Sequence, residues 1–178
     1  MNQRAMIAMV LSCRPSLLIA DEPTTALDVT IQAQIVRLTK SFREEFNTSV
    51  ILITHDLGLV AGFCEKVAVM YAGNVVKSAD TMTIFKDPKH PYTVGLTNSI
   101  RRTDRDYKGE LEIIKGEVPT MIAPPGCKFH PRRPRATSAC TSEMPQLTQV
   151  APGHRVAKPN NTVSFATLLN STNCLDGS

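Results

Sequence analysis

The chain has 178 residues, of which 42% are hydrophobic and 20% charged, and its formal net charge is +4. This composition predicts one folded domain with an appendage and excludes a chain that is disordered throughout. The longest apolar stretches, Ala5 to Leu11 and Val67 to Ala72, are far shorter than the roughly 20 residues that cross a bilayer, so no membrane span is predicted. Five irregularly spaced cysteines indicate free thiols in a reducing compartment.

Two interpretations fit the N-terminal segment. The segment resembles a short signal sequence that ends in a lipidated cysteine, because Arg4 is followed by an apolar run to Leu11 and then by Cys13. The same run also fits an amphipathic helix that Pro15 ends. The helix is favoured because a strand followed by carboxylates begins almost at once.

Residues 16–53 have the pattern of a β-α-β unit. The continuously apolar run from Ser16 to Ala20 predicts a parallel strand covered on both faces. Asp28 can cap a helix from Val29 to Phe46, in which apolar side chains recur every three or four residues. A second apolar run, Val50 to Ile53, completes the unit, so both strands run in the same direction.

Ionisable side chains stand just beyond each of these strands. Asp21 and Glu22 follow the first strand, and His55 follows the second. Ligands of open parallel sheets gather at the carboxyl ends of the strands, so these three residues are expected at one edge. Two carboxylates there can hold Mg²⁺ and supply a base beside a nucleotide phosphate, which favours ATP hydrolysis. Taken singly, the acidic pair also fits a helix N-terminus, and the histidine fits a capped turn.

Shorter elements are predicted in the rest of the chain. They are a helix from Leu57 to Cys64 capped by Asp56, a hairpin of Lys66 to Tyr71 and Asn74 to Lys77, a helix from Asp80 through Phe85, a helix from Pro91 to about Ile100, and a strand from Leu111 to Ile114. Five prolines between positions 119 and 134 then predict that the rest of the chain, up to the tail, is irregular. Polar residues 159–178 predict a disordered tail.

One stretch near the C-terminus is strongly basic. Its charged residues are Lys128, His130, Arg132, Arg133 and Arg135. Such a cluster can attract phosphate or anionic lipid, but a solvated basic loop is the favoured interpretation.

Several segments resemble the ATP-binding cassette (ABC) ATPases. Leu17 to Asp28 is similar to the Walker B strand and D-loop of that family, and Thr54-His55-Asp56 is similar to its switch histidine segment. Met1 to Arg4 resembles the residues just after the paired glycines of the signature motif. Three later segments are similar to the C-terminal extension of oligopeptide, dipeptide and nickel importers: His90 to Thr93, Gly126 to Phe129, and Ala151 to His154.

The resemblance implies an α/β fold, a partial P-loop NTPase sheet of the ABC ATPase type with a Pro-rich C-terminal extension. Residues 1–78 are expected to form the C-terminal half of the ATPase domain, from the end of the signature motif to the switch histidine. Residues 79–158 are expected to form the importer-type extension, and residues 159–178 the tail. By itself, the His90 to Thr93 segment indicates no more than a helix that begins at proline.

The same resemblance implies the site residues and partners. Asp21 is expected to bind Mg²⁺ through water, Glu22 to act as the catalytic base, and His55 to contact the γ-phosphate of ATP. Three further residues are implied in nucleotide binding, the last of them across a dimer interface: Gln3, Arg4 and Asp28. The implied partners are a second ABC ATPase subunit, transmembrane permease subunits and, indirectly, a substrate-binding protein, with no nucleic acid. The implied location is the cytoplasm, on the inner face of the plasma membrane.

Members of this branch often carry four cysteines in the extension, and some are thought to hold an iron-sulfur cluster. Cys127 and Cys140 match two of these positions, whereas Arg133 and Lys158 stand at the other two. Two thiolates cannot hold a four-cysteine cluster, so no iron-sulfur cluster is expected.

None of the nine glycines lies in a G-x-x-x-x-G-K-[ST] phosphate loop. The chain is therefore expected to be the C-terminal portion of an importer's ATPase subunit, inactive by itself and marginally folded because its strands lack neighbours. One alternative is a non-catalytic fragment that binds a full ATPase subunit or a permease. Another is a DNA-repair-type ATPase, which the lack of heptad runs disfavours. The sequence leaves the choice between peptide and nickel open.

Overall fold

The computed structural model shows two compact units, residues 1–65 and 66–178. The described residues are 9–10, 12–24, 29–100, 114, 116, 118, 124–133 and 136–158. The units divide earlier in the chain than the boundary expected at residue 78, because the predicted hairpin belongs to the second unit.

The first unit contains the predicted β-α-β arrangement. Its elements are β1 (Leu17–Asp21), α1 (Val29–Phe46), β2 (Ser49–Ile53) and α2 (Leu57–Phe63). The two strands pair in parallel, with Leu17 opposite Ser49 and Asp21 opposite Ile53. The predicted order and strand direction are therefore confirmed, whereas Asp28, the predicted cap of α1, lies outside the described residues.

A tight turn after α1 returns the chain to the start of β2. Ile35 and Phe42 of α1 are buried. Asn47 adopts a φ of 50°, a left-handed conformation that commonly ends a helix. The buried Thr48 hydroxyl then donates a hydrogen bond to the carbonyl oxygen of Pro15 at 2.8 Å, which ties this turn to the segment before β1.

One face of the β1-β2 sheet is open. Leu17, Ile19, Ile51 and Ile53 are between 48% and 60% exposed, and they alternate with half-buried residues along both strands. The expectation that the first strand is covered on both faces is therefore wrong for the described residues. A single β-α-β crossover places its helix on one face of the sheet, and a second layer is needed to cover the other.

This open face predicts self-association of the isolated chain. Replacing Ile19 and Ile51 together with Thr, which is also β-branched, is expected to reduce oligomer formation in sedimentation experiments, since less apolar surface is exposed. Leu18→Thr is the matched control, because Leu18 lies on the half-buried face of β1 and its loss should lower stability instead. Oligomers that persist in the double variant would contradict the prediction.

The second unit contains a four-stranded antiparallel sheet in the order β3-β4-β6-β5. The strands are β3 (Lys66–Tyr71), β4 (Asn74–Asp80), β5 (Gln146–Ala151) and β6 (His154–Lys158). β3 and β4 form the predicted hairpin around Ala72 and Gly73, whose φ values of 45° and 79° suit a tight hairpin turn.

Residues 136–158 are more regular than expected. The stretch predicted to be irregular from its prolines contains α5 (Ser138–Ser142) and the β5-β6 hairpin. Pro145 precedes β5, and Pro152 lies in the turn beside Gly153, which has a φ of 70°, so neither proline interrupts a strand. β6 pairs with β4 and fully buries Val156, which joins the β3-β4 hairpin to the C-terminal region.

Two helices follow β4, and both begin where predicted. α3 (Thr81–Lys86) is capped by the Asp80 carboxylate, which accepts hydrogen bonds from the backbone N–H of Thr83 at 2.8 Å and from its hydroxyl at 2.7 Å. α4 (Pro91–Asn98) has proline at its first position, where no backbone N–H is needed.

Three expectations lie wholly or partly outside the described residues. Residues 111–113 of the predicted strand and 159–178 of the predicted tail are among these, and Ile114 lies outside any strand. Of the predicted N-terminal helix, Met9, Val10 and Ser12 are described and are helical. Within the described part of the chain, the helices are too short or too polar to cross a bilayer.

Candidate functional site

The ends of β1 and β2 bring Glu22 and His55 into contact. His55 Nδ1 lies 3.0 Å from Glu22 Oε1. The backbone N–H of Glu22 donates to the carbonyl oxygen of Ile53 at 2.9 Å, which holds the two strand ends side by side. The side chains of His55 and Glu22 are 80% and 46% exposed, so the pair is open to solvent. The predicted proximity of these residues is therefore confirmed.

Glu22 has an unusual backbone conformation. Its φ of 43° lies in the left-handed region, which disfavours a non-glycine residue by about 1 to 2 kcal/mol. Asp21 is the last residue of β1 and retains strand geometry, so the chain changes direction between the two carboxylates. Strain of this kind is concentrated at functional sites.

Neighbouring polar groups hold the turn that carries His55. The Asp56 carboxylate accepts hydrogen bonds from the backbone N–H groups of Gly58, at 2.7 Å, and Leu59, at 3.3 Å, and thus caps α2 as predicted. The Thr54 hydroxyl accepts a hydrogen bond from the backbone N–H of Asp56 at 3.0 Å. These contacts fix the backbone on both sides of His55 and leave its ring exposed.

The Glu22–His55 contact is compatible with two protonation states. A neutral imidazole that donates from Nδ1 to Glu22 keeps an acceptor lone pair on Nε2. A doubly protonated ring makes the contact an ion pair and can donate from Nε2 instead. In both states the Glu22 carboxylate keeps lone pairs that can orient a water molecule or accept its proton.

Asp21 fits a Mg²⁺ site that a nucleotide would complete. Its carboxylate is exposed at the end of β1, and Mg²⁺ commonly binds through one or two carboxylates together with waters and substrate phosphates. Within the described ranges, no group of three or more His, Cys, Asp and Glu side chains is arranged to hold a metal ion.

Three predicted nucleotide-binding residues, Gln3, Arg4 and Asp28, lie outside the described residues, and their roles stay predictions.

Sequence reasoning overlooked Thr24, which is buried and whose backbone carbonyl accepts a hydrogen bond from the Gln32 side-chain amide at 3.2 Å. This contact ties the segment after Glu22 to α1.

His90, Pro91 and Tyr92 form the start of α4. The buried His90 ring accepts a hydrogen bond at Nδ1 from the backbone N–H of Tyr92 at 3.2 Å. Burial, followed by the positive charges of Arg133 and Lys77, lowers the pKa of His90 to about 4, which keeps the ring neutral and able to accept. The Tyr92 ring lies 4.7 Å from that of Tyr71, centroid to centroid. In this motif, His90 therefore caps α4 and Tyr92 packs against the core of the second unit.

Part of the second unit matches a known protein family. Residues 76–140, which run from within β4 into α5, match the model of the oligopeptide/dipeptide transporter C-terminal region. These residues, called the transporter-family region below, are similar to the C-terminal region of oligopeptide/dipeptide transporters. The buried motif at residues 90–92 is thus part of that family's C-terminal region.

The similarity to peptide transporter proteins also covers the first unit. The chain is 51% identical over 154 residues to the oligopeptide transport ATP-binding protein OppD of Salmonella typhimurium, covering 86% of this chain and 45% of that protein. It is 52% identical over 157 residues to AppD of Bacillus subtilis, covering 88% and 48%. With the dipeptide transport ATP-binding protein DppD of Escherichia coli the identity is 49% over 156 residues, covering 87% and 47%. The chain spans about half the length of the curated relatives it matches.

Lys77 is a structural residue of the transporter-family region that the sequence did not reveal. It is fully buried, and its ammonium group donates hydrogen bonds to the backbone carbonyls of Asp87 and Thr83 at the C-terminal end of α3. Burial lowers the pKa of Lys77 to about 8, although the nearby Asp87 opposes this shift. The cation thus binds the Asp87 carbonyl just beyond the helix end, and it adds a second hydrogen bond to the Thr83 carbonyl, which already accepts the backbone N–H of Asp87 at 3.0 Å.

Two residues of the basic stretch, Lys128 and Arg132, bind backbone carbonyl groups within the second unit. Lys128 donates to the carbonyl oxygen of Pro124 at 2.9 Å. Arg132 donates to the carbonyl oxygen of Ile114 at 3.0 Å. Both side chains are half-buried. The favoured interpretation of a solvated basic loop is therefore wrong for these residues, because internal carbonyl groups hold their charges.

Gly126 provides a stability prediction for the same region. Its φ is 64°, and an added Cβ would lie 2.6 Å from the carbonyl oxygen of Cys140. Gly126→Ala is expected to lower the free energy of unfolding by about 2 kcal/mol or more, measured by urea denaturation. Gly153→Ala is the matched control, because Gly153 has a φ of 70° but open space around its Cβ position. Equal losses in both variants would show that crowding at Cys140 has no effect.

Proposed function

We propose that this chain carries the water-activating half of the ATP hydrolysis site of an ABC importer subunit. The proposal rests on the 3.0 Å contact between Glu22 and His55, next to Asp21 at the carboxyl ends of two parallel strands. Glu22 orients the attacking water and accepts its proton, and His55 hydrogen-bonds the γ-phosphate. Asp21 would hold Mg²⁺ through water, and the bound ion would neutralise phosphate charge.

The first unit is proposed to be one part of a larger P-loop NTPase sheet. The open apolar face of β1 and β2 supports this, since parallel strands are normally covered on both faces. The second unit is proposed to be the importer extension. The 178 residues contain no phosphate loop, so we expect no ATP turnover from them alone.

Peptides are the proposed substrates, with nickel as the alternative. The names of the similar proteins refer to oligopeptide and dipeptide transport, which favours peptides. The proposed partners are a second ATPase subunit and transmembrane permease subunits at the inner face of the plasma membrane. Contact with a substrate-binding protein is indirect.

A hybrid subunit tests this function. Residues 1–158 would replace the matching half of Escherichia coli OppD, in cells that lack OppD. The hybrid is expected to restore oligopeptide uptake and, when purified, to hydrolyse ATP, while the 178-residue chain alone does neither. A hybrid that folds and assembles with the permease but gives no turnover would refute the proposal. Nickel uptake in place of peptide uptake would favour the alternative substrate.

The open sheet face supports a second candidate function, a non-catalytic fragment that binds a full ATPase subunit or a permease. Leu17, Ile19, Ile51 and Ile53 would be covered in such a complex. The chain would then co-purify with the transporter without adding ATPase activity, and Ile19→Thr with Ile51→Thr would abolish the association.

A further inference from the structure

The turn that carries Glu22 needs support on both of its sides. Glu22 has a φ of 43°, and a strained residue of this kind persists only where the surrounding structure holds it. On the N-terminal side, β1 pairs with β2, and the backbone N–H of Glu22 donates to the carbonyl oxygen of Ile53 at 2.9 Å. Residues after Glu22 lie beyond the paired strands, so support on that side has to come from another element.

Gln32 of α1 supplies a hydrogen bond on the C-terminal side of this turn. Its side-chain amide donates to the backbone carbonyl of Thr24 at 3.2 Å, and Thr24 is 5% exposed. Gln32 is half-buried and stands three residues before the buried Ile35, on the same face of the helix. The packing of Ile35 therefore sets the rotation of α1 and directs the Gln32 amide at the turn.

Other hydrogen bonds hold the opposite ends of the two strands. The hydroxyl of the buried Thr48, in the turn after α1, donates to the carbonyl oxygen of Pro15 at 2.8 Å. The backbone N–H of Ser49 donates to the carbonyl oxygen of Ser16 at 3.0 Å. These contacts lie at the starts of β1 and β2, whereas Glu22 follows the end of β1. The two ends of the strand pair are therefore held by separate contacts.

We propose that Gln32 is a positioning residue for Glu22, because its hydrogen bond to Thr24 holds the turn in the conformation that brings the Glu22 carboxylate to His55. Gln32 acts through the backbone and takes no part in proton transfer. Without this hydrogen bond the turn relaxes, and a catalytic group misplaced by about 1 Å can lose roughly 10²-fold in rate. The inference rests on the proposed role of Glu22 as the catalytic base.

Amide hydrogen exchange of the full 178-residue chain tests the positioning without nucleotide or transport. Gln32→Leu removes the donor and keeps a side chain of similar bulk, and it is expected to speed exchange at the Glu22 N–H about 5- to 10-fold. Exchange at the Ser49 N–H, at the other end of the strand pair, should change little. Thr48→Val is expected to give the reverse pattern, because it removes only the contact at that end.

The hybrid subunit tests the consequence for catalysis. Gln32→Leu is expected to lower kcat about 10-fold and to leave the KM for ATP unchanged, since Glu22 acts on the attacking water. Gln32→Lys, which retains a donor long enough to reach Thr24, should recover much of the lost rate. Gln34→Leu is the matched control, because Gln34 is exposed on the same helix and its loss should leave kcat unchanged.

The outcomes separate this inference from the proposed function. Equal acceleration at the Glu22 and Ser49 amides in Gln32→Leu would show a general loss of stability and would overturn the positioning role. Unchanged exchange at Glu22, or equal kcat for Gln32→Leu and Gln34→Leu in an active hybrid, would overturn it too. An unaltered hybrid that assembles without turnover would instead refute the proposed function, and the exchange pattern would still decide whether Gln32 holds the turn.

Discussion

Replacing Glu22 with Gln in the hybrid subunit is expected to lower ATP turnover by about 10² to 10⁴, or about 3 to 5 kcal/mol of transition-state stabilisation. The amide keeps the size of the side chain but cannot accept a proton from water. The change also alters the contact with His55 Nδ1, which is 3.0 Å from Glu22 Oε1 in this structure. Steady-state phosphate release, measured with saturating ATP and Mg²⁺, provides the test.

Glu65→Gln is the matched control for Glu22→Gln. The Glu65 side chain is 80% exposed and pairs with Arg43 at 3.2 Å, away from the strand ends. Its loss should leave turnover unchanged, since exposed ion pairs contribute about 0 to 1 kcal/mol to stability. If Glu22→Gln keeps turnover close to that of the Glu65 variant, Glu22 is not the base.

The contact between Glu22 and His55 also predicts how their substitutions combine. Residues that act as one unit have non-additive effects on rate. His55→Ala should therefore lower turnover by itself, and adding Glu22→Gln should lower it less than the product of the two single effects. Multiplicative effects would indicate that the two side chains act independently.

Acidification from pH 7 to pH 4 is expected to lower the stability of the second unit by about 3 kcal/mol through His90 alone. Its pKa is about 4 in the folded chain because the ring is buried and faces the charges of Arg133 and Lys77. In the unfolded chain the pKa returns to an ordinary value of about 6.5. Between these values the unfolded chain binds a proton that the folded chain does not. Stability due to neutral His90 is thus present above pH 6.5 and is lost as the pH falls.

His90→Asn isolates this effect. Asn can accept the hydrogen bond from the Tyr92 backbone N–H and cap α4, but it does not titrate. Urea unfolding of both proteins across this pH range should show a steeper acid loss for the unaltered chain. His154, which is also buried with a lowered pKa, leaves a dependence of the same sign in both. Parallel stability curves for the two proteins would refute the prediction.

Much of the first unit could be predicted from local patterns. The apolar runs before Asp21 and Thr54 and the periodic helix between them determine a parallel strand pair, and its geometry brings Glu22 to His55. The turn conformations were also predictable where a side chain caps its own helix, as Asp56 and Asp80 do. Such interactions join residues a few positions apart, so their pattern is visible in the sequence.

Long-range burial in the second unit could not be predicted in the same way. The prolines between positions 119 and 134 suggested that the chain after them is irregular, whereas residues 146–158 form a hairpin that pairs with β4. Lys77 and Arg132 are residue types that usually lie at the surface. Backbone carbonyl groups elsewhere in the chain hold Lys77 in the interior and Arg132 in a half-buried position. Their partners become known only when the chain is folded.

The sequence by itself determined the chemistry at the strand ends, the order of the β-α-β unit and the resemblance to peptide importers, because these depend on residue type and short spacing. The tertiary structure alone decided that one sheet face is open and that Lys128 and Arg132 are half-buried against backbone carbonyl groups. It also decided that the backbone N–H of Cys127 donates to the carbonyl oxygen of Cys140. These features depend on which residues, distant from one another in sequence, are buried together. Local periodicity does not encode that information.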